Sequence, residues 1–149
     1  QGFYVRRGNP KKIKGWEDLG RTDISILNRR VGSSSRILLD TQLKALGIPP
    51  AQIRGYDKLM SSHLTMAAAV AAGDADLAIG TERVSRQIEN LDFIPLLEER
   101  YDLALKKERL DSPPVQKLIA VMNQPAFRRE LSRFSGNDYR DSGKIIQEV

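Results

Sequence analysis

Apolar and polar residues follow two periods along the chain, one typical of strands and one typical of helices. Short β-branched or aromatic runs predict buried strands at residues 3–5, 24–28 and 77–79. Leucines at helical spacing predict an amphipathic helix that Gly47 ends. The alanine-rich segment 63–72 is apolar nearly all round, which predicts a buried helix. Weaker patterns predict a helical turn at residues 15–19, a strand at residues 53–59 and a helix at residues 84–91.

The last third of the chain changes in character. Residues 93–97 predict a strand at an edge of its sheet, because a proline lies within it. Residues 101–105 alternate with the period of a half-exposed strand. Two amphipathic helices follow, opened by Pro113 and Pro125, and Gly136 is the predicted end of the second. The order of elements predicts an α/β fold with mainly parallel crossovers in its middle.

The composition is that of an ordinary globular domain, with 149 residues of which 40% are hydrophobic and 29% charged. Because there is no cysteine, disulfides, thiolate metal sites and cysteine nucleophiles are excluded. A single histidine also excludes the usual multi-histidine metal sites. No apolar run approaches the ~20 residues that a membrane span needs. We therefore expect no metal, no other cofactor and no membrane partner.

Positive charge is concentrated in the first part of the chain. Residues 1–60 hold twelve Lys and Arg against five Asp and Glu, which gives +7, whereas residues 61–149 hold twelve against fourteen, which gives −2. This asymmetry favours an anionic partner for the first part, although a solvated basic face explains it equally well. Direct nucleic-acid binding is disfavoured, because aromatic residues are not interleaved with the basic ones and no helix-turn-helix pattern is present.

The most informative segment is a Gly/Ser loop between a predicted strand and the leucine-striped helix. Free backbone amides and the dipole of a helix N-terminus attract anions, and serine hydroxyls add donors. Ligands of open α/β sheets also bind at the carboxyl ends of strands. The spacing fits neither a Walker loop nor a dinucleotide fingerprint, and the alternative is that the serines only cap the helix while the glycine permits a turn. The candidate ligand-binding residues are Asn28, Gly32, Ser33, Ser34, Ser35 and Arg36.

A second predicted helix N-terminus carries Ser62, His63 and Thr65, which we expect to face the same ligand. A lone histidine is more often a cap or a packed residue than a ligand-binding group, so His63 has both interpretations. Gly80, just after the next strand, and Tyr101, as a wall or core residue, complete the candidates. We expect no enzymatic activity, because the sequence lacks a nucleophile elbow, a cysteine and a carboxylate that would orient the histidine.

Nearly the whole chain resembles one known family in the order of its motifs. These motifs are Phe3-Tyr4-Val5, Trp16-Glu17-Asp18-Leu19, Asn28 with Gly32-Ser33-Ser34-Ser35-Arg36, Ser62-His63-Leu64 and Gly73-Asp74-Ala75-Asp76. They are similar to those of the type II periplasmic-binding-protein-like domain of molybdate-related transcriptional regulators and molybdopterin-biosynthesis proteins. The resemblance implies a two-lobed α/β fold, with residues 1–9 and 91–149 in the first lobe and residues 10–90, with the anion-binding loop, in the second. It also implies that this chain begins after the N-terminal βα segment of the first lobe.

The resemblance further implies a non-catalytic sensor or effector domain that closes by hinge motion on a small anionic ligand. Molybdate, tungstate and a molybdopterin-related anion are the expected ligands. The expected partners are a helix-turn-helix module elsewhere in the full-length protein and a second copy of the chain, joined at an unpaired sheet edge. The resemblance favours a cytoplasmic location, with a periplasmic or extracellular-facing binding protein as the alternative. The alternative function is a ligand-free scaffold or dimerisation domain of a regulator.

Overall fold

The computed structural model of the chain describes residues 1–134 and 138–146. The chain divides into two compact units, Gln1–Glu99 and Arg100–Val149. The predicted helix end at Gly136 lies outside the described residues. Among the described residues, no helix has the length and apolar character needed to cross a membrane.

A five-stranded sheet forms the centre of the first unit. Its strands in chain order are Gly2–Arg6 (β1), Ile26–Arg29 (β2), Leu59–Met60 (β3), Leu77–Gly80 (β4) and Leu91–Pro95 (β5). Across the sheet they lie in the order β3-β2-β4-β1-β5. β2 is parallel to β3 and to β4, as the sequence predicts, whereas β1 is antiparallel to β4 and β5. The carboxyl ends of β2, β3 and β4 therefore meet at one edge, where antiparallel β1 begins.

The two-lobed arrangement that the resemblance implies, with residues 1–9 and 91–149 in the first lobe and residues 10–90 in the second, stays a prediction. Residues 1–9 and 91–99, expected in the first lobe, lie in the same compact unit as residues 10–90. Strands from all three segments also pair in the one sheet, because β1 lies between β4 and β5.

Helices cover both faces of the sheet. The first, α1 (Ser34–Leu46), ends at Gly47, and the second, α2 (His63–Ala72), ends at Gly73, both glycines in the left-handed conformation. Alternate residues of β1 point to opposite faces. Phe3 and Val5 join a core cluster with leucines of α1, whereas Tyr4 joins another with the small side chains of α2. The amphipathic helix that Gly47 ends is therefore confirmed. The alanine-rich segment is also a helix, but its predicted burial is wrong in extent, since only Met66, Ala67 and Val70 are buried and Leu64 is 48% exposed.

Three weaker predictions change in the structure. The strand predicted over residues 53–59 is reduced to β3, after a 3-10 helix at Pro50–Gln52. The helix predicted at residues 84–91 is the short α3 (Glu82–Ser85), because the chain turns at Asn90 and enters β5. The strand predicted at residues 101–105 is wrong, since these residues are exposed and pair with no strand in the part of the chain that the structure describes.

The second unit contains the two predicted amphipathic helices, α4 (Pro113–Met122) and α5 (Pro125–Ser132). Each begins with a proline, which fits the first helical turn because that turn needs no amide donor. None of its described side chains is buried. The polar groups that could bind a ligand in a sheltered position therefore lie in the first unit.

Candidate functional site

Most of the predicted site residues lie at the edge where β2, β3 and β4 end, here called the carboxyl edge. The register pairs Leu27 with Ala78 and Gly2 with Gly80, so the ends of β2 and β4 lie beside the beginning of β1. Helix α1 begins five residues after β2, and α2 begins three residues after β3. The topology thus brings the Gly/Ser loop, the N-terminus of α2 and Gly80 to one side of the sheet.

The serines at the start of α1 have different environments. Ser33 is the N-cap residue, but its side chain does not cap the helix; its hydroxyl donates to the Arg30 carbonyl at 3.0 Å. Gly32 has a φ of +88° and permits the turn before it. Ser34 is exposed, whereas Ser35 is only 2% exposed and its hydroxyl has no hydrogen-bond partner. Side-chain capping therefore does not account for this run of serines.

Arg36 and Asn28 have partners within the protein. The Nε of Arg36 donates to both oxygens of Asp40, at 2.9 and 3.0 Å, and its guanidinium lies 4.1 Å from the centre of the Tyr56 ring. Tyr56 also donates its hydroxyl proton to Asp40, at 2.6 Å. Asn28 is buried, donates to the Tyr56 carbonyl and accepts from the Arg29 amide. These two predicted site residues hold the ends of β2 and α1 in place.

At the second helix N-terminus, Ser62 and Thr65 form a reciprocal cap. The Thr65 amide donates to the Ser62 hydroxyl at 3.1 Å, and the Ser62 amide donates to the Thr65 hydroxyl at 3.3 Å. Both side chains therefore stabilise the first turn of α2. His63, the first residue of α2, is partly buried, and its Nδ1 has no hydrogen-bond partner.

The last two predicted residues have different surroundings. Gly80 is buried beneath the Tyr4 ring, and a Cβ on it would overlap that ring. The Tyr4 hydroxyl donates to the Thr81 carbonyl at 2.9 Å, and burial raises the pKa of Tyr4 to about 12. Gly80 therefore has a packing role at the carboxyl edge. Tyr101 lies in the second unit and is 87% exposed.

Four buried side-chain atoms in the described residues lack a hydrogen-bond partner, and all four belong to residues at the carboxyl edge. Leaving a buried polar group without a partner costs about 1 to 3 kcal/mol, so such groups are rare and call for an explanation. Sequence reasoning missed two of them. Arg29 lies in the predicted loop but is not among its candidate residues, while the position of Gln1 depends on the pairing of β1 with distant strands. The four atoms are Gln1 Oε1, Arg29 Nε, Ser35 Oγ and His63 Nδ1.

These atoms can bind a ligand by hydrogen bonds. Arg29 and Ser35 supply donors, the imidazole of His63 supplies a donor or an acceptor, and the Gln1 carbonyl supplies an acceptor. The charge of Arg29 and the free amides at the start of α1 favour an anion. No group of three or more His, Asp and Glu side chains in the described residues is placed to hold a metal ion.

An open cleft of about 340 Å³ lies between α3 and β5. Its charged groups already have partners, since Arg86 pairs with Glu82 and the Asp92 carboxylate accepts from the Gly8 amide at 2.8 Å. Its floor includes Leu91 and Phe93. A cleft without unpaired polar groups offers little specificity, so the unpartnered atoms of the carboxyl edge identify the better candidate.

The environment of His63 gives the site a measurable electrostatic signature. Burial of the imidazole, followed by the charge of Arg29, lowers the pKa of His63, while the Ile79 carbonyl and the Glu99 carboxylate oppose the shift. In the unfolded chain the imidazole binds a proton at a higher pH than in the folded protein. The unfolded state therefore holds more protons just below its ordinary pKa of about 6.5, and the free energy of unfolding rises with pH there.

We expect the free energy of unfolding to be lower at about pH 5.5 than at about pH 7, with His63 contributing to the difference. Urea unfolding at several pH values measures this difference in free energy. The variant His63→Asn is expected to show a weaker pH dependence of the free energy of unfolding, because His63 is the single histidine. An equal pH dependence in the two proteins would contradict the described environment of His63.

Comparison with known proteins agrees with this fold. Residues 1–123 match the PBP superfamily domain. The uncharacterized protein YvgK of Bacillus subtilis (strain 168) is 39% identical over 148 residues, which are 99% of this chain and 47% of that protein. An uncharacterized protein in the ferredoxin 2Fe-2S gene 5' region of Clostridium pasteurianum is 45% identical over 113 residues, which are 76% of this chain and 100% of that protein. The chain thus spans about half the length of the Bacillus relative.

Among solved structures, the chain is similar to the periplasmic binding protein XoxJ from Methylobacterium extorquens AM1. The TM-score is 0.58 and the sequence identity 18%, over 91% of this chain and 66% of that one. At this identity the likeness shows a shared fold.

Proposed function

The chain belongs to the PBP superfamily, and on that premise we propose that it is a non-catalytic domain that binds a small anionic ligand at the carboxyl edge. The observation that carries the proposal is the set of unpartnered buried atoms at this edge. A bound ligand would supply the missing partners and recover the free energy that their burial costs.

The donors fit a small anion in particular. The Ser35 hydroxyl and the Arg29 Nε are buried without an acceptor, and an anion offers acceptors that strengthen such hydrogen bonds by their charge. Helix α1 adds amides and the positive end of its dipole beside Ser35. Two buried donors and a helix N-terminus, all at the carboxyl edge, therefore support an anionic ligand.

A small anion fits better than a molybdopterin-like compound. A pterin would need an aromatic ring on which to stack, and the ring of Tyr56 is already covered on one face by the Arg36 guanidinium. The phenol hydroxyl of Tyr56 is held by Asp40, which fixes the ring in that position. Molybdate and tungstate therefore remain useful probes of the site, together with other small oxyanions.

A regulatory role is a second step of the proposal, beyond ligand binding. We infer that closure of a two-lobed protein on the ligand biases an attached DNA-binding module, and that the protein acts in the cytoplasm. The extra length of the Bacillus relative is compatible with such additional segments. The test of the binding step does not depend on this role.

The proposal predicts that a small oxyanion stabilises the folded protein. At about 100 times its dissociation constant a ligand adds about 2.7 kcal/mol, which is several degrees in thermal unfolding at this size. We expect Ser35→Ala to weaken binding by about tenfold or more, because it removes a hydrogen bond to a charged group. Sulfate, phosphate, molybdate and tungstate are the probes, titrated at constant ionic strength.

The matched control is Ser85→Ala. Ser85 is also buried, but its hydroxyl donates to the Glu82 carbonyl at 2.7 Å, so anion affinity is expected to be unchanged. Absence of stabilisation by every probe, both in this chain and in a longer protein that contains it, would reject the proposal. That result would favour a ligand-free scaffold or dimerisation domain, for which the edge strand β5 offers a pairing surface.

A further inference from the structure

The amide of Gln1 is the least expected feature of the carboxyl edge. Its Nε2 donates to the Glu99 carboxylate at 2.9 Å, while its Oε1 is buried and has no partner among the described residues. The acceptor Glu99 fixes the orientation of the amide, because the reversed amide would place the oxygen against a carboxylate. The backbone carbonyl of Gln1 accepts from the amides of Leu96 and Leu97, at 3.0 and 3.1 Å. Gln1 Oε1 is therefore an oriented acceptor that lacks a donor.

This acceptor lies in the candidate site. Gly2 pairs with Gly80 at the end of β4 and with Pro95 at the end of β5, so Gln1 lies one residue beyond the sheet at the carboxyl edge. The Glu99 carboxylate that holds the amide also interacts electrostatically with His63. One end of the site thus presents an acceptor and a negative charge, while the donors of Arg29 and Ser35 belong to the ends of β2 and α1.

The buried donors and the Gln1 acceptor require different groups on a ligand. The buried donors need acceptor atoms, which every oxyanion supplies. Gln1 Oε1 needs an N–H or O–H, which fully deprotonated molybdate, tungstate and sulfate lack. An oxyanion without a donor, here called a bare anion, would therefore leave the Gln1 acceptor unpaired. A ligand that satisfies the whole site has both an anionic group and a donor.

We propose that the ligand is a small anion that also carries an O–H or N–H donor, and that the amide oxygen of Gln1 accepts this donor. The inference rests on the proposed function and narrows its ligand class. Gln1 is then a specificity-determining residue: it adds affinity for donor-bearing anions and none for bare ones. Hydrogen phosphate and a hydroxy acid are two sources of the same chemistry.

Two matched pairs of probes test the inference. Phosphate keeps at least one O–H near neutral pH, whereas sulfate of the same shape has none, and glycolate differs from acetate by one hydroxyl. Titrations of the 149-residue chain, followed by the NMR signals of the Arg29 side chain and the His63 imidazole, give affinities even when binding is weak. We expect at least one donor-bearing probe to bind about tenfold or more tightly than its bare counterpart, because a site that hydrogen-bonds a ligand hydroxyl rejects the analogue without it.

Gln1→Met tests the residue itself, since it keeps the length of the side chain and removes the amide. We expect this variant to abolish the preference within each pair while bare anions bind as before. The exposed Gln52 gives the control Gln52→Met, which is expected to keep the preference. Equal affinities within both pairs, or a preference that survives in Gln1→Met, would overturn the inference and leave the proposed function standing. If no probe of either kind binds, the proposed function itself fails, and this inference with it.

Discussion

Gly55→Ala is expected to destabilise the protein by about 3 kcal/mol or more, the largest loss of stability that we predict for a single methyl group. Gly55 has a φ of +91°, which an alanine adopts only with strain. A Cβ there would also overlap the carbonyl oxygen of Ile26 in β2. The Ile26 backbone cannot easily move away, because the Ile26 side chain is buried and its amide donates to the Arg54 carbonyl at 2.8 Å. Urea unfolding measures the difference in free energy.

The variant Gly8→Ala separates the effect of backbone strain on stability from the effect of steric overlap. Gly8 has a similar φ of +78°, but a Cβ there would meet no atom within 4 Å. Only the backbone strain remains, so a loss of about 1 kcal/mol is expected. Equal losses in the two variants would show that overlap with β2 does not restrict Gly55.

The turn at Gly55 also matters for the site. Tyr56, the next residue, accepts from the Asn28 side chain and donates to Asp40, which in turn holds Arg36. The network connects the end of β2 with the first two turns of α1. A displaced turn would therefore disturb the carboxyl edge as well as the core.

The local sequence predicts α1 and α2 well, because their signals are local. Leucines at helical spacing mark the buried face of α1, and Gly47 and Gly73 end the two helices as left-handed residues. The strand alternation of residues 101–105 is equally local and fails, since a strand forms only with a partner that pairs with it. A local strand pattern thus forms a strand where a partner is available, as it is for β1, β2 and β4.

The sequence marks the loop before α1 but does not show which of its polar atoms are buried without a partner. The serine run correctly marked a helix N-terminus, but nothing in the pattern distinguishes Ser35, which is buried without a partner, from Ser33, which bonds the loop. Arg36 follows the serines directly, but its guanidinium contacts Tyr56, which lies twenty positions later in the chain. The local pattern does not indicate this contact. Gln1 reaches the carboxyl edge through pairing with β4 and β5, which no local signal encodes. Contacts between distant segments decide which polar groups stay unpaired.

Arg29→Glu is expected to reduce affinity for every small anion by about 100-fold or more, the largest effect on binding that we predict. The substitution removes a buried donor at the end of β2 and places a negative charge where the ligand charge would lie. Loss of one partner of a buried charge pair costs about 2 to 5 kcal/mol, and each 1.4 kcal/mol is about tenfold in affinity. The same probes, titrated at constant ionic strength, measure the change.

The control Arg7→Glu makes the same change of net charge at the opposite edge of the sheet, just after the end of β1. Its effect on affinity is expected to be small and to disappear at high salt, because distant exposed charges are screened.

The His63 imidazole gives a test without any ligand. Because the charge of Arg29 lowers the pKa of His63, Arg29→Glu is expected to raise that pKa, and Arg7→Glu to leave it unchanged. If Arg29→Glu raised the pKa of His63 but left anion affinity intact, the carboxyl edge would be folded as described and would not be the anion-binding site.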